Sequence, residues 1–174
     1  MSLTLEQFTK ECHRILAADP GAAGRNKVRA LVETACKDRD FVASNFREDG
    51  GQREIIYEDP DLGFCVCAHV YHDARGSQPH DHGSAWAIYG QVQGETVMTD
   101  WALVEPAGEG KMGKVRFVRD YALKPGMAHL YNEGDLHSPR RDGPTKLLRI
   151  EGKNLDKERR FGYRAVETAT VPAQ

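Results

Sequence analysis

The sequence of 174 residues predicts a mostly β protein in which two to three N-terminal helices precede an antiparallel barrel or sandwich. Two observations carry this prediction. Apolar residues recur at helical spacing before Asn45, whereas short runs rich in β-branched and aromatic residues alternate with turn sequences after Gln52. The hydrophobic pattern therefore changes its period between these two residues.

The helices are predicted from their apolar faces and their end signals. Thr4 is a residue type that favours the N-cap, and the first helix should stop at Asp19-Pro20-Gly21. A second helix is predicted from about Ala22 to Lys37, with one apolar stripe, and residues 38–46 predict a short third.

Short β-rich runs follow at a spacing typical of an antiparallel barrel or sandwich, separated by turns rich in Pro, Gly and Asp. The predicted strands are Glu54–Glu58, Phe64–His72, Trp86–Gln93, Glu95–Leu103, Val115–Leu123, His129–Tyr131 and Lys146–Glu151. We expect one domain over residues 1–174, in which the helices of residues 1–47 pack on a barrel formed by residues 52–164.

Composition favours a small-molecule substrate over a macromolecular partner. The formal charge is −2, with 40% hydrophobic and 29% charged residues, so neither nucleic acid nor a membrane surface is indicated. No basic segment followed by an apolar run begins the chain, and we expect a cytoplasmic protein. The four cysteines are then expected to be reduced and mostly buried.

Two histidines, His80 and His82, form an H-x-H pair. On an extended strand, side chains two residues apart leave the same face, so both imidazoles could bind one ion of iron, zinc, copper or nickel. The alternative is a pair of surface histidines in a loop.

The residues around this pair resemble the first motif of the cupins, G-x5-H-x-H-x3,4-E-x6-G. His80, His82 and Gly94 match it, while Ala87 stands where the motif has its glutamate ligand. The leading glycine, Gly76, comes two positions late. The resemblance implies a cupin double-stranded β-helix, also called a jelly-roll barrel.

The second cupin motif, G-x5-P-x-G-x2-H-x3-N, matches at Gly126, Gly134 and His137, but without its proline and its final asparagine. His137 is therefore the third metal ligand that the resemblance implies. His129 does not fit the spacing, and we expect it beside the site without touching the ion, or at the surface.

A set of three histidines without a carboxylate resembles the thiol dioxygenases, the cysteine dioxygenase-like cupins. That resemblance implies Fe²⁺ as the metal and O2 as a co-substrate, with Zn²⁺, Ni²⁺ or Mn²⁺ as alternative metals. It also implies a substrate with a carboxylate, which Arg53 in the stretch Gly51-Gln52-Arg53-Glu54 could hold through a bidentate pair. The alternative is a solvated arginine at a strand end.

The supporting Ser-x-His-x-Tyr set of that family is not retained, because its strand matches Leu147-Leu148-Arg149-Ile150-Glu151. The resemblance places Arg149 and Glu151 inside the barrel, with Arg149 binding an anionic substrate and Glu151 acting as a base or pairing with the arginine. Alternation alone favours the opposite arrangement, in which Leu148 and Ile150 face the core and Arg149 and Glu151 face the solvent.

Strand alternation adds one candidate. If Ala87 faces inward, then Ala85, Tyr89 and Gln91 share its face, and Trp86, Ile88 and Val92 pack on the other. Tyr89 is therefore a candidate for substrate binding and for catalysis, as a hydrogen-bond donor beside the metal.

We predict a metal-dependent oxidoreductase, an Fe²⁺ dioxygenase acting on a small anionic substrate. A second hypothesis keeps the metal for isomerase, lyase or hydrolase chemistry without oxygen. A third is a cupin that binds a small ligand without catalysis. The resemblance to cupins also allows a homodimer.

Overall fold

The computed structural model describes residues 3–166. Three helices open this range, α1 (Leu5–Ala18), α2 (Ala22–Lys37) and α3 (Arg39–Asn45), as the sequence predicted. Within residues 3–166, no helix combines the length and the apolar composition that crossing a membrane requires.

Side-chain caps fix where α1 and α3 begin. Thr4 Oγ1 accepts a hydrogen bond from the Gln7 amide while Gln7 Oε1 accepts one from the Thr4 amide, which satisfies two amides that the helix leaves free. Asp38 begins α3 in a similar way, because its Oδ1 accepts hydrogen bonds from the amides of Asp40 and Phe41.

Ten strands follow, of which the sequence predicted seven to within a few residues. They are β1 (Glu54–Glu58), β2 (Cys65–Tyr71), β3 (Arg75–Gly76), β4 (Ala87–Gln93), β5 (Thr96–Glu105), β6 (Gly113–Leu123), β7 (Ala128–Tyr131), β8 (Leu136–Arg141), β9 (Thr145–Glu151) and β10 (Tyr163–Ala165). β3, β8 and β10 were missed. β8 reads Leu-His-Ser-Pro-Arg-Arg, and its proline and charges hide a strand that is nonetheless mostly buried.

The strands form two five-stranded sheets, in the orders β1-β2-β9-β4-β7 and β10-β6-β5-β8-β3. From β2 to β5 and again from β6 to β9, successive strands alternate between the sheets. Every pairing between described strands is antiparallel except that of β10 with β6. This is the double-stranded β-helix, or jelly roll, which confirms the predicted fold class.

The helices cover the outer face of the first sheet. Val66, Ile88 and Leu148, on three adjacent strands, pack in one buried cluster with Val28 and Val32 of α2. The opposite faces of the same strands line the inside of the barrel, as the parity of Ala87 and Tyr89 predicted. The barrel interior is therefore free to hold polar side chains, because the helices supply the main apolar core.

Helix α2 approaches β4 at Gly90. A Cβ atom on this glycine would lie 2.4 Å from Val32 Cγ1 and 2.8 Å from Cys36 Sγ, closer than packed atoms allow. The absence of a side chain at this position lets the helix rest directly on the strand that carries Tyr89.

We therefore expect Gly90→Ala to lower the free energy of unfolding by about 1–3 kcal/mol, since the added methyl group overpacks this contact. Urea denaturation measures the loss. Gly108→Ala is the matched control, because nothing lies within 4 Å of a Cβ at that position. Equal stability of the two variants would contradict the close helix–strand contact.

Candidate metal centre

The histidine pair lies in the loop between β3 and β4, tied to strand β8. The His80 amide donates to the His137 carbonyl and the His137 amide to the His80 carbonyl, both at 3.0 Å. One candidate nitrogen from each of His80, His82 and His137 lies within 4.8 Å of the others. The three predicted ligands therefore meet at one point, although the H-x-H pair is in a bridged loop instead of a regular strand.

The loop turns inward at Gly83. Its φ of +62° lies in the left-handed region, which glycine adopts without strain, and Asp81 Oδ1 accepts a hydrogen bond from its amide at 3.0 Å. His82, just before this turn, is 1% exposed, and His137 is fully buried. The alternative of two surface histidines is therefore wrong for His82.

Backbone carbonyls orient two of the rings. Nδ1 of His80 lies 2.9 Å from the Gln78 carbonyl, and Nδ1 of His137 lies 3.0 Å from the Asp135 carbonyl. Because a carbonyl can only accept, each Nδ1 carries the proton and each Nε2 keeps its lone pair. Such support of the far ring nitrogen is typical of metal-binding histidines.

The hydroxyl of Tyr89 lies where the rings converge. Its Oη is 3.2 Å from His82 Nε2 and 3.4 Å from His137 Nε2, and the side chain is almost fully buried on β4. Burial raises the pKa of Tyr89, so the phenol stays protonated at neutral pH. Tyr89 is therefore placed to donate a hydrogen bond at the centre.

Burial also keeps the histidines neutral. Desolvation lowers the pKa of His80, His82 and His137, and the positive charge of Arg149 lowers it further in each ring. Nδ1 of His82 is buried without a hydrogen-bond partner in the described part of the chain. Neutral, converging imidazoles are the form that binds a transition-metal ion, so the residues present fit such an ion.

No carboxylate joins the three histidines in the cluster found among residues 3–166. Ala87, at the place of the cupin glutamate, is fully buried, and its cross-strand neighbours are Glu151 and Tyr131. Three protein ligands leave at least one coordination position open, which is typical of a catalytic site and not of a structural one.

Arg149 and Glu151 point into the barrel. Leu148 and Ile150 pack in the core on the helix side, as simple alternation favoured. The solvent-facing position that alternation gave to Arg149 and Glu151 is wrong, because both side chains are largely or fully buried inside the barrel, as the resemblance implied. Arg149 Nη2 donates to His82 Nε2 at 3.1 Å, and its guanidinium lies 4.6 Å from the centre of the Tyr89 ring.

The predicted substrate arginine, Arg53, is paired with a carboxylate of the protein itself. Its Nε and Nη2 donate to the two oxygens of Glu151 at 3.2 and 2.7 Å, and Nη1 also pairs with Asp156. Glu151 is fully buried and accepts a further hydrogen bond from the Leu155 amide. A substrate role for Arg53 and a base role for Glu151 stay predictions, and each would require this pair to open.

The ring of Tyr131 separates His129 from His137. Tyr131 stacks on His137 with ring centroids 3.9 Å apart, and His129 contacts Tyr131 with centroids 4.6 Å apart. The hydroxyl of Tyr131 is hydrogen-bonded to that of Tyr121. Sequence reasoning missed both tyrosines, although Tyr131 shares the inward parity of His129 two residues earlier.

A cavity of about 220 Å³ opens beside His80 and Tyr89. Four arginines line it, Arg75, Arg141, Arg149 and Arg160, of which the sequence indicated only Arg149. The signal for Arg141 was available, since it stands where the second cupin motif has its final asparagine. Arg53 is not among the residues that line this cavity.

A second cluster of donor atoms, formed by Cys67, His69 and Glu151, lies in the same barrel. Burial raises the pKa of the Cys67 thiol to about 12, so the thiol is protonated at neutral pH. Glu151 is neutralised by Arg53, and this cluster is therefore a poor cation site.

No known family profile and no functionally curated protein matches the sequence. Solved structures similar to this chain include a cupin superfamily protein from Desulfitobacterium hafniense (14% identity, 63% of this chain and 83% of the other, TM-score 0.44). A second is a cupin-2 domain containing protein from Shewanella frigidimarina (14% identity, 68% of this chain and 96% of the other, TM-score 0.43). A third is KdgF from Halomonas sp. (20% identity, 57% of this chain and 74% of the other, TM-score 0.41). None of these similarities bears on the activity of this chain.

If the three histidines bind the ion, His137→Ala should lower the affinity for Fe²⁺ or Co²⁺ by at least about 100-fold, since one of three protein ligands is lost. Isothermal titration under anaerobic conditions measures this. His129→Ala is the matched control and should retain most of the affinity, and the reverse order of the two variants would exclude His137 as the third ligand.

The ion pair predicts a structural effect of Arg53→Ala. Removing the arginine takes the two hydrogen bonds of Arg53 from the buried Glu151 and leaves it only the 3.5 Å contact with Arg149, which should cost about 2–3 kcal/mol of stability in urea denaturation. Arg140→Ala, which breaks an exposed pair with Asp142, should cost less than about 1 kcal/mol. Wild-type stability of Arg53→Ala would instead favour an arginine that is free to bind substrate.

Proposed function

We propose that this protein is a metal-dependent oxidoreductase, an Fe²⁺ dioxygenase that acts on a small anionic substrate. The observation that carries the proposal is a set of three neutral histidines without a carboxylate, of which His82 and His137 are buried and His80 half-buried, beside a cavity lined by arginines. His80, His82 and His137 would hold the ion. Iron held there would supply the redox chemistry for oxidation of the substrate by oxygen.

The charge of the ligand set supports an anionic substrate. Neutral imidazoles do not compensate a divalent cation, so an anionic donor from the substrate is favoured at the open positions. Arg149 contacts His82, one of these histidines, and would hold the substrate in place through its guanidinium. The arginine and the open site therefore select the same kind of molecule.

Tyr89 would act as the proton-bearing group at the reacting atoms. Its hydroxyl lies within 3.4 Å of two of the histidines, and its raised pKa keeps it a donor. The cation of Arg149 over the ring orients the phenol. The Ser-x-His-x-Tyr set is not retained here. Tyr89 is the residue of β4 whose hydroxyl contacts the histidines.

The proposal is tested with protein reconstituted with Fe²⁺ under anaerobic conditions and then assayed in an oxygen electrode. The substrate panel comprises small thiols that carry a carboxylate and small diketones. We expect one bound iron per chain and oxygen uptake with at least one compound. Failure to retain iron together with no oxygen uptake across the panel would overturn the proposal.

Tyr89→Phe should keep the iron content and lower kcat by about 100-fold, because the variant loses a hydrogen-bond donor but no ligand. The matched control is Tyr57→Phe, whose hydroxyl bonds Asp59 away from the centre and whose loss should leave kcat unchanged. An unchanged kcat in Tyr89→Phe would remove this tyrosine from the mechanism.

A further inference from the structure

The cavity beside His80 concentrates positive charge. Arg75, Arg141, Arg149 and Arg160 line it, and among the described residues that line it there is no carboxylate. Neither Arg75, Arg141 nor Arg160 forms a salt bridge with an acidic side chain within the described range. Arg149 alone has an acidic neighbour, because its Nε lies 3.5 Å from Glu151 Oε1. The other three guanidinium groups at this space of about 220 Å³ have no carboxylate partner among the described residues.

Arg141 is buried without an anion. It is 4% exposed, its Nε has no hydrogen-bond partner in residues 3–166, and its guanidinium lies 4.4 Å from the centre of the Tyr71 ring. Burial lowers the pKa of Arg141, the direction expected of a cation that lacks a countercharge. Leaving a buried charge unpaired is costly unless a ligand supplies its partner.

The strand register brings two of these charges together. Arg75 on β3 and Arg141 on β8 are directly opposite across an antiparallel pair. Like charges in opposite positions on neighbouring strands destabilise a sheet. Arg149 comes from β9 of the other sheet, so the cations approach the cavity from two walls of the barrel.

A single carboxylate has two oxygens, which one guanidinium satisfies in a bidentate pair. On Arg149 it would leave Arg141 without a partner, and on Arg141 it would leave Arg149 with only its 3.5 Å contact to Glu151, since the two arginines come from opposite sheets. We propose that the cavity binds a ligand with two negative charges, a phosphate monoester or a dicarboxylate, through Arg141 and Arg149 inside and Arg75 and Arg160 at the rim. That this ligand is the substrate rests on the proposed function.

The test is isothermal titration of the full-length, metal-free chain at constant ionic strength with inorganic phosphate, succinate and acetate. Binding of phosphate or succinate at least about 10-fold tighter than acetate supports the proposal. Phosphate alone indicates a phosphate monoester, and succinate alone indicates a dicarboxylate. Acetate binding as tight as both dianions, or no binding of either dianion, would overturn it.

Variants at the rim keep the test independent of folding. Arg75→Gln and Arg160→Gln change exposed residues and should each weaken dianion binding about 3- to 10-fold, while Arg141→Gln should weaken it further. Arg140→Gln is the matched control, because this exposed neighbour of Arg141 pairs with Asp142 outside the cavity, and it should bind as wild type. Unchanged affinity in both rim variants would exclude the proposed site.

The two proposals fail separately. Dianion binding to a chain that takes up no iron and consumes no oxygen would remove the dioxygenase and keep the anion site. Oxygen uptake with a substrate of one negative charge, by a protein that binds acetate as tightly as phosphate, would keep the dioxygenase and remove the dianion site.

Discussion

The pair of backbone hydrogen bonds between His80 and His137 is the constraint on which the candidate metal centre depends. It joins the loop after β3 to β8 and so brings residues 57 positions apart in the sequence into one cluster. His82 follows this bridge by two residues and lies inside the barrel. The Nδ1 contacts to the carbonyls of Gln78 and Asp135 then set the rings, so the backbone itself holds two of the imidazoles ready to bind.

The fold separates apolar packing from polar chemistry. The helices bury the outer face of one sheet, and the inner face of the same strands is thereby released to carry Arg149, Glu151 and Tyr89. Cross-strand register places Tyr89 opposite Arg149 and Ala87 opposite Glu151. The small side chain at residue 87 leaves the centre without a carboxylate. Glu151, the carboxylate opposite it on β9, is neutralised by Arg53. Among the described residues, the buried Arg141 has no acidic partner, and it lines the cavity.

Sequence reasoning reached most of the fold and the centre of the site. Local signals sufficed for the helices, because the capping residue Thr4 and the apolar periodicity act within a few residues. The spacing of the two cupin motifs was enough to select His80, His82 and His137 as candidate ligands. β8 escaped prediction because its strand character comes from pairing with β5 across the sheet and not from its own Ser-Pro-Arg-Arg composition. The partners of Arg53 and the cavity arginines escaped for the same reason, since they depend on contacts between residues far apart in the chain.

The most direct test of the central claim is X-ray absorption spectroscopy at the iron edge of the full-length chain reconstituted with Fe²⁺. Three imidazoles should give a first shell of light scatterers at about 2.0–2.2 Å, with the multiple scattering of three histidine rings and no sulfur. A sulfur scatterer near about 2.3 Å would place the ion at Cys67 instead. Such a sulfur contribution, or the signature of a single imidazole, would contradict a centre built from His80, His82 and His137.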